Sequence, residues 1–141
     1  MTNDPSLEQA TRILGRSSYG QHTQCVIFPI FAPGHWMLGI VNFGTQCYGC
    51  YDPLQCPHPD ILTTLQRFVE SLDERRGQLH GMDIPGPKQP NDYDCGVFVC
   101  IAAKQYIQTN STGPFEHNDM SLWRLHILSR IARFKPLAPR P

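Results

Sequence analysis

The sequence predicts an α+β fold: a small central, mostly antiparallel sheet packed against a buried helix that carries a cysteine at its N-terminus. Three observations predict it. Residues 25–52 hold three runs of strand formers separated by turn residues at hairpin spacing. Residues 61–72 and 120–134 repeat apolar side chains at the helical interval. Between them, Val97, Phe98, Val99, Cys100, Ile101, Ala102, Ala103, Tyr106 and Ile107 make a run that is apolar on nearly every side. A short helix that is hydrophobic all round is a buried one, and Cys100 is read as part of that core.

The bounds are consistent with one domain. A chain of 141 residues can bury a core without metal or disulfide staples. Twelve basic and twelve acidic residues cancel, so neither a nucleic-acid surface nor a membrane surface is indicated. The N-terminus MTNDPSLEQATR is polar from its start, without the look of a signal peptide. The six cysteines are therefore expected to be reduced thiols in the cytoplasm or nucleus. Residues 1–24 read as a polar, partly disordered segment with a short helix possible over Leu7 to Leu14. Residues 25–134 read as the folded domain, and 135–141 (KPLAPRP) as a disordered tail.

In order, CVIFPIF at 25–31 fits a strand, with Pro29 placing it at an edge or a bulge. The turn APG leads into HWMLGIVNF at 35–43, a second strand. Gly44 and Thr45 suggest a two-residue turn into QCYGCYDP, a third strand stopped by Pro53. Pro59 sits at the first position of a helix carrying Ile61, Leu62, Leu65, Phe68, Val69 and Leu72 on one face, ended by Gly77. LHGMDI at 79–84 reads as a further short strand, followed by the polar loop QPNDYD and the buried helix from Cys95. A last helix places Met120, Trp123, Ile127, Leu128, Ile131 and Phe134 on one face, with Arg124, Arg130 and Arg133 towards solvent.

The hairpin carries chemistry. With the turn at 44–45, Phe43 faces Gln46, Met37 faces Asp52, and His35 and Asp52 become diagonal neighbours on one face, roughly 7–8 Å apart. A carboxylate beside an imidazole holds its tautomer and supports the imidazolium. Cys95 stands where a polar loop enters a helix, and a helix N-terminus favours thiolate over thiol. Gln89, six residues upstream, could return its side-chain amide to the same spot. Nucleophile, base and orienter are thus available from three segments, although strand alternation alone does not bring Cys95 to the pair.

FPI at 28–30, HWMLGIVNF at 35–43, YDPL at 51–54, ILTTLQRFVESL, QPNDYDCGVFVC at 89–100 and a final helix near DM with an Arg four residues after the Met together resemble the SUMO-specific (sentrin-specific) cysteine proteases, related to the adenovirus proteinase. The resemblance implies a His35, Asp52, Cys95 catalytic triad, with Gln89 and the Cys95 backbone N–H as oxyanion hole and Trp36 enclosing a diglycine tail. It further implies a monomeric, cofactor-free peptidase or isopeptidase that cuts after the Gly-Gly terminus of a ubiquitin-like protein, SUMO first and NEDD8 second. Two departures stand out. Residues 1–24 lack the family's Trp-Leu helical motif, which raises a noncatalytic ubiquitin-like-protein-binding remnant as the alternative. Asp92 replaces a small residue and, with Asp94, puts two carboxylates near the thiol, which opposes thiolate formation unless Asp94 is engaged as the helix N-cap.

The competing chemistry is zinc. Cys47, Cys50, Cys56 and His58 have suitable ligand types, C-x2-C-x5-C-x-H. Alternation would send Cys47 and Cys50 to opposite faces of a strand, so no metal site is expected.

Overall fold

The computed structural model describes residues 24–72, 78–116 and 118–134. The expectations for the N-terminal segment and its helix, for Gly77 and for the tail lie outside the described residues. Four strands form one sheet in the order β1 (Cys25–Ala32), β2 (His35–Asn42), β3 (Cys47–Tyr51), β4 (His80–Asp83). The first two pairings are antiparallel and β3–β4 is parallel. Among the described residues there are three helices: α1 (Pro59–Leu72), which lies between β3 and β4 in the chain, then α2 (Cys95–Thr109) and α3 (Met120–Arg133). This is the α+β architecture the sequence indicates.

β1 is the edge strand, as Pro29 requires, because proline has no N–H to give to a second neighbour. Gly34, in the two-residue turn into β2, takes φ +75°, a conformation glycine adopts without Cβ strain. The next turn is longer than Gly44–Thr45 suggests. The last paired residues are Asn42 and Cys47, and the chain reverses over 43–46. A two-residue turn needs left-handed backbone at its centre, which β-branched Thr45 resists. Here Gln46 takes φ 55° instead, and Thr45 N–H donates to the Asn42 side chain at 3.0 Å. The register is unchanged: Leu38 still pairs with Tyr51 and Val41 with Tyr48.

Alternation then sorts the core into two halves. Leu38, Ile40 and Tyr51 pack against Val99, Ala102 and Tyr106 of α2. Val41 and Tyr48 pack against Leu65 and Phe68 of α1. The sheet is thus covered by α2 on one face and α1 on the other. Helix α2 is buried through Cys95, Val97, Phe98, Val99, Ile101, Ala102 and Tyr106, but Cys100 is not core. It is exposed and lines a cleft of about 310 Å³ between α2 and α3 with Ile101, Lys104, Trp123 and Ile127. Five positions after Cys95, it has rotated away from the sheet. Helix α3 docks only lightly; Leu122, Leu125, Leu128, Ile131 and Phe134 are exposed. Among the described residues, no helix is long and apolar enough to cross a membrane.

Candidate active site

The end of the sheet at which β2 begins collects the residues that the sequence singles out. His35 Nε2 lies 2.7 Å from Asp52 Oδ1, joining the start of β2 to the residue after β3. The diagonal pairing expected from register is present as a direct side-chain contact. Asp52 is buried, and its backbone reverses into a turn, its C=O accepting Gln55 N–H at 2.8 Å. Leu54 N–H donates to the same Oδ1 at 2.7 Å.

A second histidine, not foreseen, closes on the other oxygen: His58 Nε2 stands 2.6 Å from Asp52 Oδ2. Sequence reasoning placed His58 only among zinc donors. The available signal was the Asp52–Gln55 turn, which folds the next residues back onto the aspartate. Burial alone would raise the pKa of Asp52, but the hydrogen bonds from His58, Leu54 N–H and His35 outweigh it and hold the carboxyl below the ordinary aspartate value. An ionised carboxylate only accepts, so the Nε2 of each imidazole carries the shared proton. That fixes the tautomer of neutral His35 and leaves Nδ1 as its basic nitrogen.

Cys95 is buried at the first position of α2. Trp36 follows His35, and a Cβ added to Gly96, next to Cys95, would sit 3.7 Å from Trp36 Cδ1. Helix start and strand start therefore meet. Among the described residues, no hydrogen bond joins Cys95 Sγ to His35. Catalytic hydrogen bonds are often long before substrate binds. Trp36 is 41% exposed and rests on the Phe31 ring with centroids 4.8 Å apart. It is exposed, not a core aromatic.

Asp94 is not the side-chain cap of α2. Its carboxylate accepts from Asn91 Nδ2 at 2.7 Å and is ion-paired with Arg124 of α3. The expectation of two uncompensated carboxylates beside the thiol is corrected accordingly: Asp94 is paired with a guanidinium and Asp92 is exposed. Arg124 likewise does not simply face solvent. With Asp94 turned away, its side chain leaves the first-turn N–H groups of α2 uncapped. Gln89 is buried, and its backbone N–H donates to Pro53 C=O at 2.8 Å, one residue from Asp52. Its Nε2 donates to Asn91 C=O at 2.6 Å, while Oε1 is buried without a partner. Every nominated residue thus lies in this neighbourhood, and among the described residues no hydrogen bond joins Cys95 or the Gln89 side chain to the His35–Asp52 pair.

The zinc alternative finds no support in this geometry. Cys47 and Cys50 occupy opposite faces of β3, and His58 is engaged with Asp52. Burial, with Asp52, Asp83 and Asp60 nearby, pushes the Cys50 thiol up to about 12. Among the described residues, no group of three or more His, Cys, Asp or Glu is disposed to hold a metal ion.

Comparison with known proteins gives the family. The Ulp1 protease family, C-terminal catalytic domain, matches residues 8–131, beginning ahead of β1. Over 84 residues the chain is 36% identical to Ubiquitin-like-specific protease 1 of Saccharomyces cerevisiae, covering 51% of this chain and 13% of that protein. Over 121 residues it is 27% identical to a sentrin-specific protease of Caenorhabditis elegans, covering 80% of this chain and 17% of that one. Among solved structures, SUMO protease Ulp1 with its catalytic cysteine oxidized to a sulfenic acid superposes with a TM-score of 0.70 at 29% identity, covering 84% of this chain and 58% of Ulp1. The C-terminal Ulp1 protease domain in complex with Smt3, the yeast orthologue of SUMO, gives 0.59 at 27%, covering 83% and 56%. The chain therefore spans less than two thirds of each of these proteins. Because the family match extends over most of its length and the fold is shared with solved Ulp1, this chain belongs to the Ulp1 protease family of cysteine peptidases, within the C-terminal catalytic domain.

Proposed function

We propose that the chain is a ubiquitin-like-protein-specific cysteine peptidase that cleaves after a C-terminal Gly-Gly, with SUMO as the first candidate modifier and NEDD8 as the second. The observation that carries the reading is the 2.7 Å contact between His35 and a buried Asp52, at the end of the sheet where Cys95 opens a buried helix. In this reading Cys95 Sγ attacks the carbonyl carbon of the last glycine. His35 Nδ1 takes the thiol proton and later delivers it to the departing lysine amine. Asp52 keeps the imidazole in the required tautomer and stabilises its charged form. The tetrahedral oxygen is held by Cys95 N–H at the uncapped helix start and by the Gln89 amide, whose second N–H is not used by Asn91. Such a donor is worth roughly 2.7–4 kcal/mol in comparable sites. Water then hydrolyses the thioester, with His35 now as the base. Trp36, exposed beside the thiol, supplies one wall for a tail without side chains. The chain acts as a monomer, inside the cell, without metal or organic cofactor.

A ubiquitin-like protein carrying a C-terminal electrophile tests this directly. SUMO and NEDD8 probes are incubated with the parent and with Cys95→Ser, and the adduct site is read by mass spectrometry. A SUMO adduct at Cys95, absent in the variant, is expected. Labelling at Cys47, Cys50 or Cys56 overturns the assignment of the nucleophile, and a folded parent that binds SUMO without an adduct supports the noncatalytic alternative.

A further inference from the structure

The segment between β3 and α1 reads YDPLQCPHP, and its histidine ends against the one carboxylate on which the proposed mechanism turns. The placement is rigid for local reasons. Asp52 and Gln55 close a turn, with Gln55 at φ 59°. Pro57 and Pro59 flank His58 and restrict its backbone. The His58 C=O accepts Leu62 N–H at 3.0 Å, the first step of the α1 ladder. The imidazole is three-quarters buried and Asp52 almost wholly so.

Asp52 has two oxygens to satisfy in this buried position. Oδ1 accepts from His35 and from Leu54 N–H. Among the described residues, Oδ2 has His58 as its one partner. Without it, an ionised oxygen would be buried unpaired, and the carboxylate could relieve that only by turning about its Cβ–Cγ bond or taking up a proton. Either response pulls Oδ1 away from His35 or weakens it as an acceptor.

We propose that His58 is a positioning residue for the active site: by holding Oδ2, it locks the Asp52 carboxylate so that Oδ1 stays on His35 and His35 keeps Nδ1 free for the Cys95 proton. The inference rests on the proposed roles of His35, Asp52 and Cys95, and it extends the triad by one residue that touches neither substrate nor thiol. Because His58 acts only through Asp52, its effect must vanish when Asp52 can no longer serve. A role in starting α1 would instead persist.

The test reads the rate of Cys95 alkylation by iodoacetamide at neutral pH, resolved from the other cysteines by peptide mass spectrometry. This needs no protein substrate, so it separates the present inference from the choice of ubiquitin-like modifier: failure of every SUMO and NEDD8 probe leaves this readout intact. Four proteins are compared with the parent: His58→Ala, His58→Gln, Asp52→Asn and His58→Ala/Asp52→Asn. Loss of one charge-assisted hydrogen bond is expected to slow His58→Ala about tenfold. Gln, whose amide reaches as far as Nε2, should recover to within about threefold of the parent. The double variant should react no more slowly than Asp52→Asn alone, the non-additivity expected of groups acting in series. Equal rates for parent and His58→Ala overturn the proposal, including the case in which parental Cys95 reacts no faster than exposed Cys56. So does the same fold-loss in both Asp52 backgrounds. If His58→Ala does not fold, His58→Gln is compared with the shorter His58→Asn; the shorter amide should be about tenfold slower, and equal rates overturn the proposal.

Discussion

At Asp52 two imidazoles and a backbone N–H converge on one buried carboxylate, and replacing it with asparagine separates two effects. The first is catalytic. The neutral amide of Asp52→Asn cannot accept from His35 with the same strength and permits the wrong tautomer, so turnover of a diglycine substrate should fall about 100- to 10,000-fold with circular dichroism unchanged. A rate within a few-fold of the parent would reduce Asp52 to a turn residue. The second effect is on stability. The folded carboxyl is held below its ordinary value, with the bonds from His58, Leu54 N–H and His35 outweighing the opposing effect of burial. Ionised Asp52 therefore stabilises the fold above the unfolded pKa of about 3.9, and that contribution is lost as pH falls through the lower folded value. In urea titrations the gap in unfolding free energy between parent and Asp52→Asn should be constant around pH 5 and narrow below about pH 4. A gap that widens on acidification would contradict the direction of the shift.

Among the elements, the parallel pairing of β3 with β4 is the most demanding. Gly49 lies opposite Met82, and a Cβ there would stand 2.0 Å from the Met82 backbone oxygen, with Ile84 close behind. Backbone cannot move aside as a side-chain end can. Gly49→Ala should therefore cost about 2–3 kcal/mol in urea unfolding, the range of overpacked interiors. Gly34 is a contrast: nothing lies within 4 Å of its Cβ position, and asparagine tolerates φ +75°. Gly34→Asn should stay within about 1 kcal/mol. What was legible follows the same division between local and distant causes. The β2–β3 register, and with it the His35–Asp52 pair, comes from period-two alternation and survives a turn of the wrong length. Pro29 marks the edge and Pro59 the start of α1 because proline acts on its own backbone. The β3–β4 pairing, the ion pair of Asp94 with Arg124 and the rotation of Cys100 out of the core depend on where distant segments dock, which no spacing records. His58 falls between: Pro53 marks the end of β3 by residue type, but the carboxylate's second oxygen becomes a claim on a partner only once burial is known.

For the molecule as a whole, 84% of the chain superposes on 58% of the solved Ulp1 chain at a TM-score of 0.70. The family match over residues 8–131 contains the Cys95 thiol, the His35 imidazole, the Asp52 carboxylate and the sheet. It also contains Trp36, exposed at the start of β2. Reactivity of Cys95 towards a small reagent depends only on these matched residues. Processing a complete ubiquitin-like precursor depends also on contacts remote from the scissile bond, because binding energy gained there positions the glycine carbonyl against Sγ and raises turnover as well as affinity. The two activities should therefore part company in residues 1–141. Iodoacetamide should label Cys95 ahead of the buried Cys50, whose thiol is pushed up to about 12 by burial and the nearby Asp52, Asp83 and Asp60. Cleavage of a full SUMO precursor should nonetheless be slow, and grafting the unmatched part of Ulp1 onto this chain should raise kcat/KM by about 100-fold or more, the scale on which positioning contributes. Precursor cleavage by residues 1–141 at the rate of the grafted protein would show that Trp36 and its neighbours suffice for the whole substrate.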